Sequence, residues 1–186
     1  METYTSLHQV ISQLNQSKSR IITSKVLADL FPKISRQGRY EIIQRMLHKD
    51  LIRKVISGIY EFTERPLSAF EKAQAIEPNS YISLETALNY YGILPQFPHV
   101  ITSITSGKTR TKESNQTYEY IHIKPDLYTD FQKIDDFLIA TKEKSLADYL
   151  YLASKGLRND DISELDLKEV NKTLLNRYPW CKKYVK

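Results

Sequence analysis

The chain is poor in residues that several common chemistries need. Cys181 is its single cysteine, which excludes an intramolecular disulfide and any zinc site built from several thiolates. No stretch of about 18 consecutive apolar residues occurs, so no membrane-spanning helix is expected. The opening METYTSLHQV lacks the basic start and apolar centre of a secretion signal. The expected location is therefore the cytoplasm. Glycine is scarce, with 5 copies, and this bears on one motif. Gly107-Lys108-Thr109 has the form of the end of a phosphate-binding loop, but Thr102 stands where that loop needs its first glycine. One glycine cannot wrap a phosphate, and nucleotide binding is not expected there. Neither an internal repeat nor a low-complexity tract is present.

What the chain does have is an uneven charge. Its 186 residues allow one ordinary domain or two small ones, and 41% hydrophobic with 26% charged residues is a globular balance. Tyrosine occurs 13 times, so many of these rings should lie in or at the rim of a core with one wet end. Residues 1–65 hold 11 Lys and Arg against 6 Asp and Glu, whereas residues 66–186 hold 16 of each. The whole net charge of +5 thus falls in the first third, where a phosphate backbone would be attracted.

Residues 35–62 give that charge a shape. Ser35 is a good N-cap. Tyr40, Ile43, Met46 and Leu47, with Ile42 on the flank, recur at helical spacing and predict one apolar face. Gln37, Glu41, Gln44, Arg45 and His48 share the opposite face, and Arg36 and Arg39 sit in the first turn. Next, Ile52-Arg53-Lys54-Val55-Ile56 alternates loosely, Ser57-Gly58 can turn the chain, and Ile59-Tyr60-Glu61-Phe62 can return. A polar-faced helix followed by a basic hairpin is the pattern of a winged helix-turn-helix, whose helix enters a DNA major groove while the hairpin lies beside the backbone. On that reading Gln37, Gln44 and Arg45 are candidates for base edges. Ser35, Arg36 and Arg39 reach phosphates or bases at the helix start, and Arg53 and Lys54 hold the backbone. Glu41 would repel phosphates but can accept from a cytosine amino group.

The flanking sequence completes two domains. Residues 3–16 predict a first helix with Leu7, Val10, Ile11 and Leu14 inward; residues 18–22 connect. Thr23 or Ser24 caps a second helix that stops before Pro32. A boundary is expected at 65/66, beside Pro66, separating a DNA-binding domain (1–65) from an α+β domain (66–186). In the latter, helices are expected over 67–76, 84–91, 142–154 and 167–176. Ser83 and Thr141 are their candidate caps, Gly92 closes the second, and residues 77–80 form a break. Strands are expected over 99–105, 117–124, 128–131 and 137–140, with 106–116 a basic loop or hairpin tip. The fold class is α+β, with a small, mostly antiparallel sheet carrying helices.

No catalytic constellation, metal site or cofactor site emerges. His122 and Lys124 share a strand face with Asp126 close after, but a nuclease would want a second carboxylate where the histidine stands. Asp135-Asp136 and Asp160-Asp161 are adjacent pairs whose side chains point apart. His8 and His48 have no second ligand at matching spacing. Lys182 and Lys183 could lower the pKa of Cys181, yet no general base accompanies it. Lys108, Arg110 and Lys112 form a basic tip, which is either a solvated turn or a second contact for nucleic acid or a partner.

Two further stretches carry a resemblance. One is Tyr81-Ile82-Ser83-Leu84-Glu85-Thr86-Ala87-Leu88-Asn89-Tyr90-Tyr91-Gly92-Ile93-Leu94, with Pro95 and Pro98 following; the other is Ile139-Ala140-Thr141-Lys142-Glu143-Lys144-Ser145-Leu146-Ala147-Asp148. Placed after the helix-and-hairpin module, with Thr102-Ser103 and a basic stretch between them, they make the chain resemble the AbiEi family of bacterial antitoxins over nearly its whole length. Read physically, the motif residues are structural: Ala87 and Ala147 permit close helix packing, and Asp148 anchors a loop. The resemblance implies a non-enzymatic repressor-antitoxin of a type IV toxin–antitoxin system. Its first domain would bind double-stranded operator DNA, as a homodimer if the operator is palindromic. Its second would counter a nucleotidyltransferase-like toxin without necessarily forming a stable complex. Two readings from other classes stay open. One is a stand-alone winged-helix regulator with a ligand-sensing or dimerisation domain, or one whose winged helix binds protein. The other is a nucleic-acid-processing enzyme using residues 108–112 and 122–124.

Overall fold

The structure, a computed structural model, describes residues 6–159 and 161–184. The chain divides into two compact units, Met1–Ser68 and Ala69–Lys186. Both mix helices with sheet, so the class is α+β, with one three-stranded and one six-stranded sheet. Among the described residues no helix is long and apolar enough to cross a membrane.

In the first unit, α1 (Leu7–Gln16) begins at a capping box: the Ser6 hydroxyl accepts from the Gln9 amide, and the Gln9 side chain accepts from the Ser6 amide. Residues 3–5 of the expected helix lie outside the described residues. Thr23 caps α2 (Ser24–Leu30), which stops short of Pro32. Ser35 caps α3 (Arg36–His48) by accepting from the Gly38 amide. Gly38 is needed for close packing, because a Cβ there would stand 2.9 Å from Ile34 Cγ2. Val10, Leu14, Ile22, Leu27 and Met46 form the centre of the core and are fully buried. Each contributes about 1.5–3 kcal/mol relative to an exposed side chain.

Two expectations fail in this unit. Residues 18–22 contain a short strand, β1 (Ile21–Ile22), which pairs antiparallel with β3 (Ile59–Phe62). Two residues are too few to display a period. The other failure is Tyr40, expected inside but 56% exposed. At about 100° per residue, the buried arc is set by Ile42, Ile43 and Met46, and Tyr40 falls beyond its margin. Arg39 lies over that arc instead. The ribbon forms as expected: β2 (Ile52–Ile56) pairs antiparallel with β3 across Ser57-Gly58, where Gly58 has φ +84°. A register irregularity between Lys54 and Ile56 turns Val55 inward and leaves Arg53 and Lys54 both exposed, hence the loose alternation.

The second unit is built on a sheet of order β6-β7-β5-β4-β9-β8. Its strands are β4 (Ser80–Ile82), β5 (Val100–Thr105), β6 (Arg110–Glu113), β7 (Thr117–His122), β8 (Phe131–Ile134) and β9 (Phe137–Ala140). Three neighbouring pairs are antiparallel, and β4–β9 and β5–β7 are parallel. Tyr120 and Ile121, adjacent on β7, point to opposite faces. The Tyr120 hydroxyl donates to the Ala73 carbonyl of α4 (Ala69–Ile76). Ile121 packs in a cluster with Leu84 of α5 (Leu84–Tyr90) and Leu152 of α6 (Lys142–Ala153). The sheet therefore carries helices on both faces.

β4 replaces part of the break expected at 77–80: Ser80, Tyr81 and Ile82 are buried on both faces, and a three-residue central strand shows no alternation. Within the expected basic loop, residues 110–113 form the edge strand β6, exposed throughout. β8 starts at residue 131 rather than 128, because a 3-10 turn over Pro125–Leu127 delays it. Thr141 caps α6 by accepting from the Lys144 amide. Gly92, with φ +70°, closes α5: Ile93 N donates to Leu88 O and Gly92 N to Asn89 O, the paired bonds of a Schellman end. Instead of a helix over 167–176, a single turn, α7 (Lys172–Leu175), is capped by Asn171.

Candidate nucleic-acid interface

α3 presents its outer face to solvent. Arg36, Gln37, Tyr40, Glu41 and Gln44 are all exposed, while Arg39 and Arg45 are half-buried. The geometry sorts these candidates by how they are held. Ser35 spends its hydroxyl on the Gly38 amide. Arg39 turns inward: Nη1 donates to the Ile34 carbonyl at 2.6 Å and Nε to Ser24 Oγ at 3.4 Å, so it braces the turn between α2 and α3. The Gln37 amide donates to Glu41 Oε1 at 3.1 Å, fixing an amide–carboxylate pair one helical turn long. Arg45 stands in the last turn, where a cation also favours the helix dipole. Tyr40 belongs with this set, and reading it as core hid it. The signal was the helical wheel, on which Tyr40 lies between Arg36 and Gln44 along one stripe.

On the ribbon, Arg53 Nε stands 2.7 Å from Glu61 Oε1. Glu61 is 2% exposed, and its other oxygen accepts from the Leu67 amide at 2.6 Å. A buried carboxylate thus holds Arg53 on the surface of β2, while exposed Lys54 follows it. A cleft elsewhere in this unit is lined by Ile11, Leu51 and Phe62. Arg65 closes over it, donating to Asn15 Oδ1 at 2.6 Å and lying 4.7 Å from the Phe62 ring centre.

In the second unit Arg110 is ion-paired with Glu77 and lies over the Tyr120 ring, whereas Lys108 and Lys112 are exposed. His122 contacts the Gly107 carbonyl through Nδ1 at 2.7 Å, which pins the turn before β6. Asp135, with φ +49°, makes the β8–β9 turn, and Asp136 lies 4.0 Å from Lys133. Asp160 is outside the described residues. Among the described residues no group of three or more His, Cys, Asp or Glu is placed to hold a metal ion. Cys181 is buried, and desolvation pushes its thiol up to about 12, with Asp148 adding to the rise. The neighbouring lysines therefore do not activate it.

One polar cluster is closed to solvent. Lys144 and Asp148 have fully buried side chains 2.6 Å apart. Asp148 Oδ2 accepts from Ser83 Oγ at 2.8 Å and Tyr81 Oη at 3.0 Å, and Lys144 Nζ donates to the Leu127 carbonyl at 2.6 Å. Ser83 stands at the N-cap position of α5, but its hydroxyl is committed to Asp148 rather than to a helix amide. Asp148 anchors the link between β4 and α5 through Ser83, as expected of a loop anchor, and Lys144 anchors the residue 127 turn as well. Burial pushes the Asp148 carboxyl up, against the Lys144 ammonium and two hydroxyls that hold it down. With these partners in place the cluster ties β4, α5, α6 and the residue 127 turn together.

The chain matches no protein-family model and no curated protein sequence.

Proposed function

We propose that the first unit is a winged helix-turn-helix that binds double-stranded DNA, with α3 in the major groove and the β2–β3 hairpin on the backbone. The observation that carries this reading is the exposed, polar outer face of α3 beside an exposed basic ribbon, in the segment that holds the entire net positive charge. Arg36, Gln37, Gln44 and Arg45 are the side chains assigned to bases and the nearest phosphates, and Lys54 with Arg53 to the backbone. Ser35 and Arg39 shape the helix start.

The chain then acts in the cytoplasm as an operator-binding repressor and antitoxin, its second unit countering a nucleotidyltransferase-like toxin. The motifs at residues 81–94 and 139–148 support this assignment by resemblance. The experiment has two arms. Fluorescence anisotropy with duplexes from upstream of the gene should show tight, salt-sensitive binding, and the doubly substituted Arg36→Ala, Arg45→Ala protein should bind at least tenfold more weakly. Unchanged affinity in that variant rejects the DNA-reading face. Co-expression with the neighbouring open reading frame should relieve its toxicity; a harmless neighbour rejects the antitoxin role and leaves a stand-alone regulator.

A further inference from the structure

The outer face of α3 carries an aromatic ring that its charge pattern does not require. Tyr40 is 56% exposed, on a helix whose core side is Ile42, Ile43 and Met46. It lies one turn from Arg36 on one side and from Gln44 on the other, both exposed. Beside it the Gln37–Glu41 pair is fixed by its own hydrogen bond. The ring therefore stands on the flank of the polar face, beside the buried arc, and its exposed neighbours Arg36 and Gln44 can only hydrogen-bond or attract charge. A tyrosine has two side-chain torsions, so holding it at an interface costs little entropy.

The major groove displays one apolar group, the C5-methyl of thymine. We propose that Tyr40 is a specificity-determining residue that packs its ring against a thymine methyl in the bound operator. The inference rests on the DNA-binding reading above, and it adds a base identity: a thymine beside the first half of α3, between the bases or phosphates met by Arg36 and by Gln44.

The full chain would first be used to select preferred duplexes from a random library. Each thymine of the selected site would then be replaced singly by deoxyuridine, which removes the methyl and nothing else. The wild type should lose affinity by about fivefold at one or two positions. Tyr40→Ala should bind more weakly and be insensitive to deoxyuridine at those positions, whereas Tyr40→Phe should keep the sensitivity. Equal sensitivity in Tyr40→Ala and wild type overturns the inference, as does a wild type indifferent to every deoxyuridine. Loss of sensitivity in Tyr40→Phe assigns the contact to the hydroxyl and also overturns it. A wild type that enriches no duplex rejects DNA binding itself, a failure distinct from the others. Thermal melts of both variants should match the wild type, because the side chain lies outside the core.

Discussion

Lys144 and Asp148 lie one turn apart on α6 with Nζ 2.6 Å from Oδ1 and neither side chain reached by solvent. Removing one partner strands a buried charge, at a cost of about 3–5 kcal/mol. Asp148→Ala and Lys144→Met should therefore each lower the urea midpoint of the second unit steeply. The double variant should cost less than the sum of the two singles, because neither charge is then left alone. It should not regain full stability, since Ser83, Tyr81 and the Leu127 carbonyl still lose their partners. Additive losses in the double-variant cycle would show that the pair does not act as a unit.

Cys181 should be silent in the native protein. At pH 8 its buried thiol, raised to about 12, is protonated, and an aromatic disulfide reagent should label it only at the rate of unfolding. The same shift has a sign in stability. Below the unfolded thiol value of about 8.5 both states hold the proton and pH has no effect through this group. Between there and about 12 only the unfolded state releases it, so stability falls as pH rises. Wild type should lose up to about 1.4 kcal/mol per pH unit more than Cys181→Ala across that window, read from urea midpoints. Parallel slopes would remove the assignment.

The features legible in the sequence were those whose cause is local. Ser35, Thr23 and Thr141 cap helices because a hydroxyl meets an amide three residues on. Gly92 closes α5 because glycine takes the left-handed φ of that end without the strain of a Cβ. What stayed hidden depends on distant partners. β1 and β4 are strands only because β3, β5 and β9 lie beside them. Ser83 has the sequence of a cap, yet Asp148, 65 residues away, takes its hydroxyl. Arg39 has the composition of a phosphate contact, yet the Ile34 carbonyl takes its guanidinium. Tyr40 shows the limit of periodicity alone: its spacing from Ile43 and Leu47 fits a buried stripe, but α3 is packed along Ile42 and Met46, and the ring is left outside.

Two glycines isolate backbone cost from packing. Gly58 and Gly92 have φ of +84° and +70°, and a Cβ added at either meets nothing within 4 Å. Alanine there is penalised by left-handed backbone strain alone, about 1–2 kcal/mol. Gly58→Ala should lower the midpoint of the first unit and Gly92→Ala that of the second, each leaving the other transition in place. A substitution that shifted both transitions equally would mean the two units unfold as one.

Arg53 and Lys54 are neighbours on β2 with the same charge and unequal freedom. Arg53 is held at 2.7 Å by Glu61, whose carboxylate offsets much of its charge, whereas exposed Lys54 sits where β2 bulges. If the ribbon lies on the DNA backbone, Lys54 supplies the stronger phosphate contact. Lys54→Ala should weaken binding alike for every sequence and reduce the slope of log affinity against log salt by about 0.9. Arg53→Ala should change that slope by less, while destabilising the first unit by leaving Glu61 buried with one partner fewer. Glu61→Gln should act in the opposite direction on binding. It keeps an acceptor for the Leu67 amide and releases the Arg53 charge, so affinity should rise at low salt. A larger slope change from Arg53→Ala than from Lys54→Ala would mean that DNA breaks the Arg53–Glu61 pair, and would reverse the assignment of the two contacts.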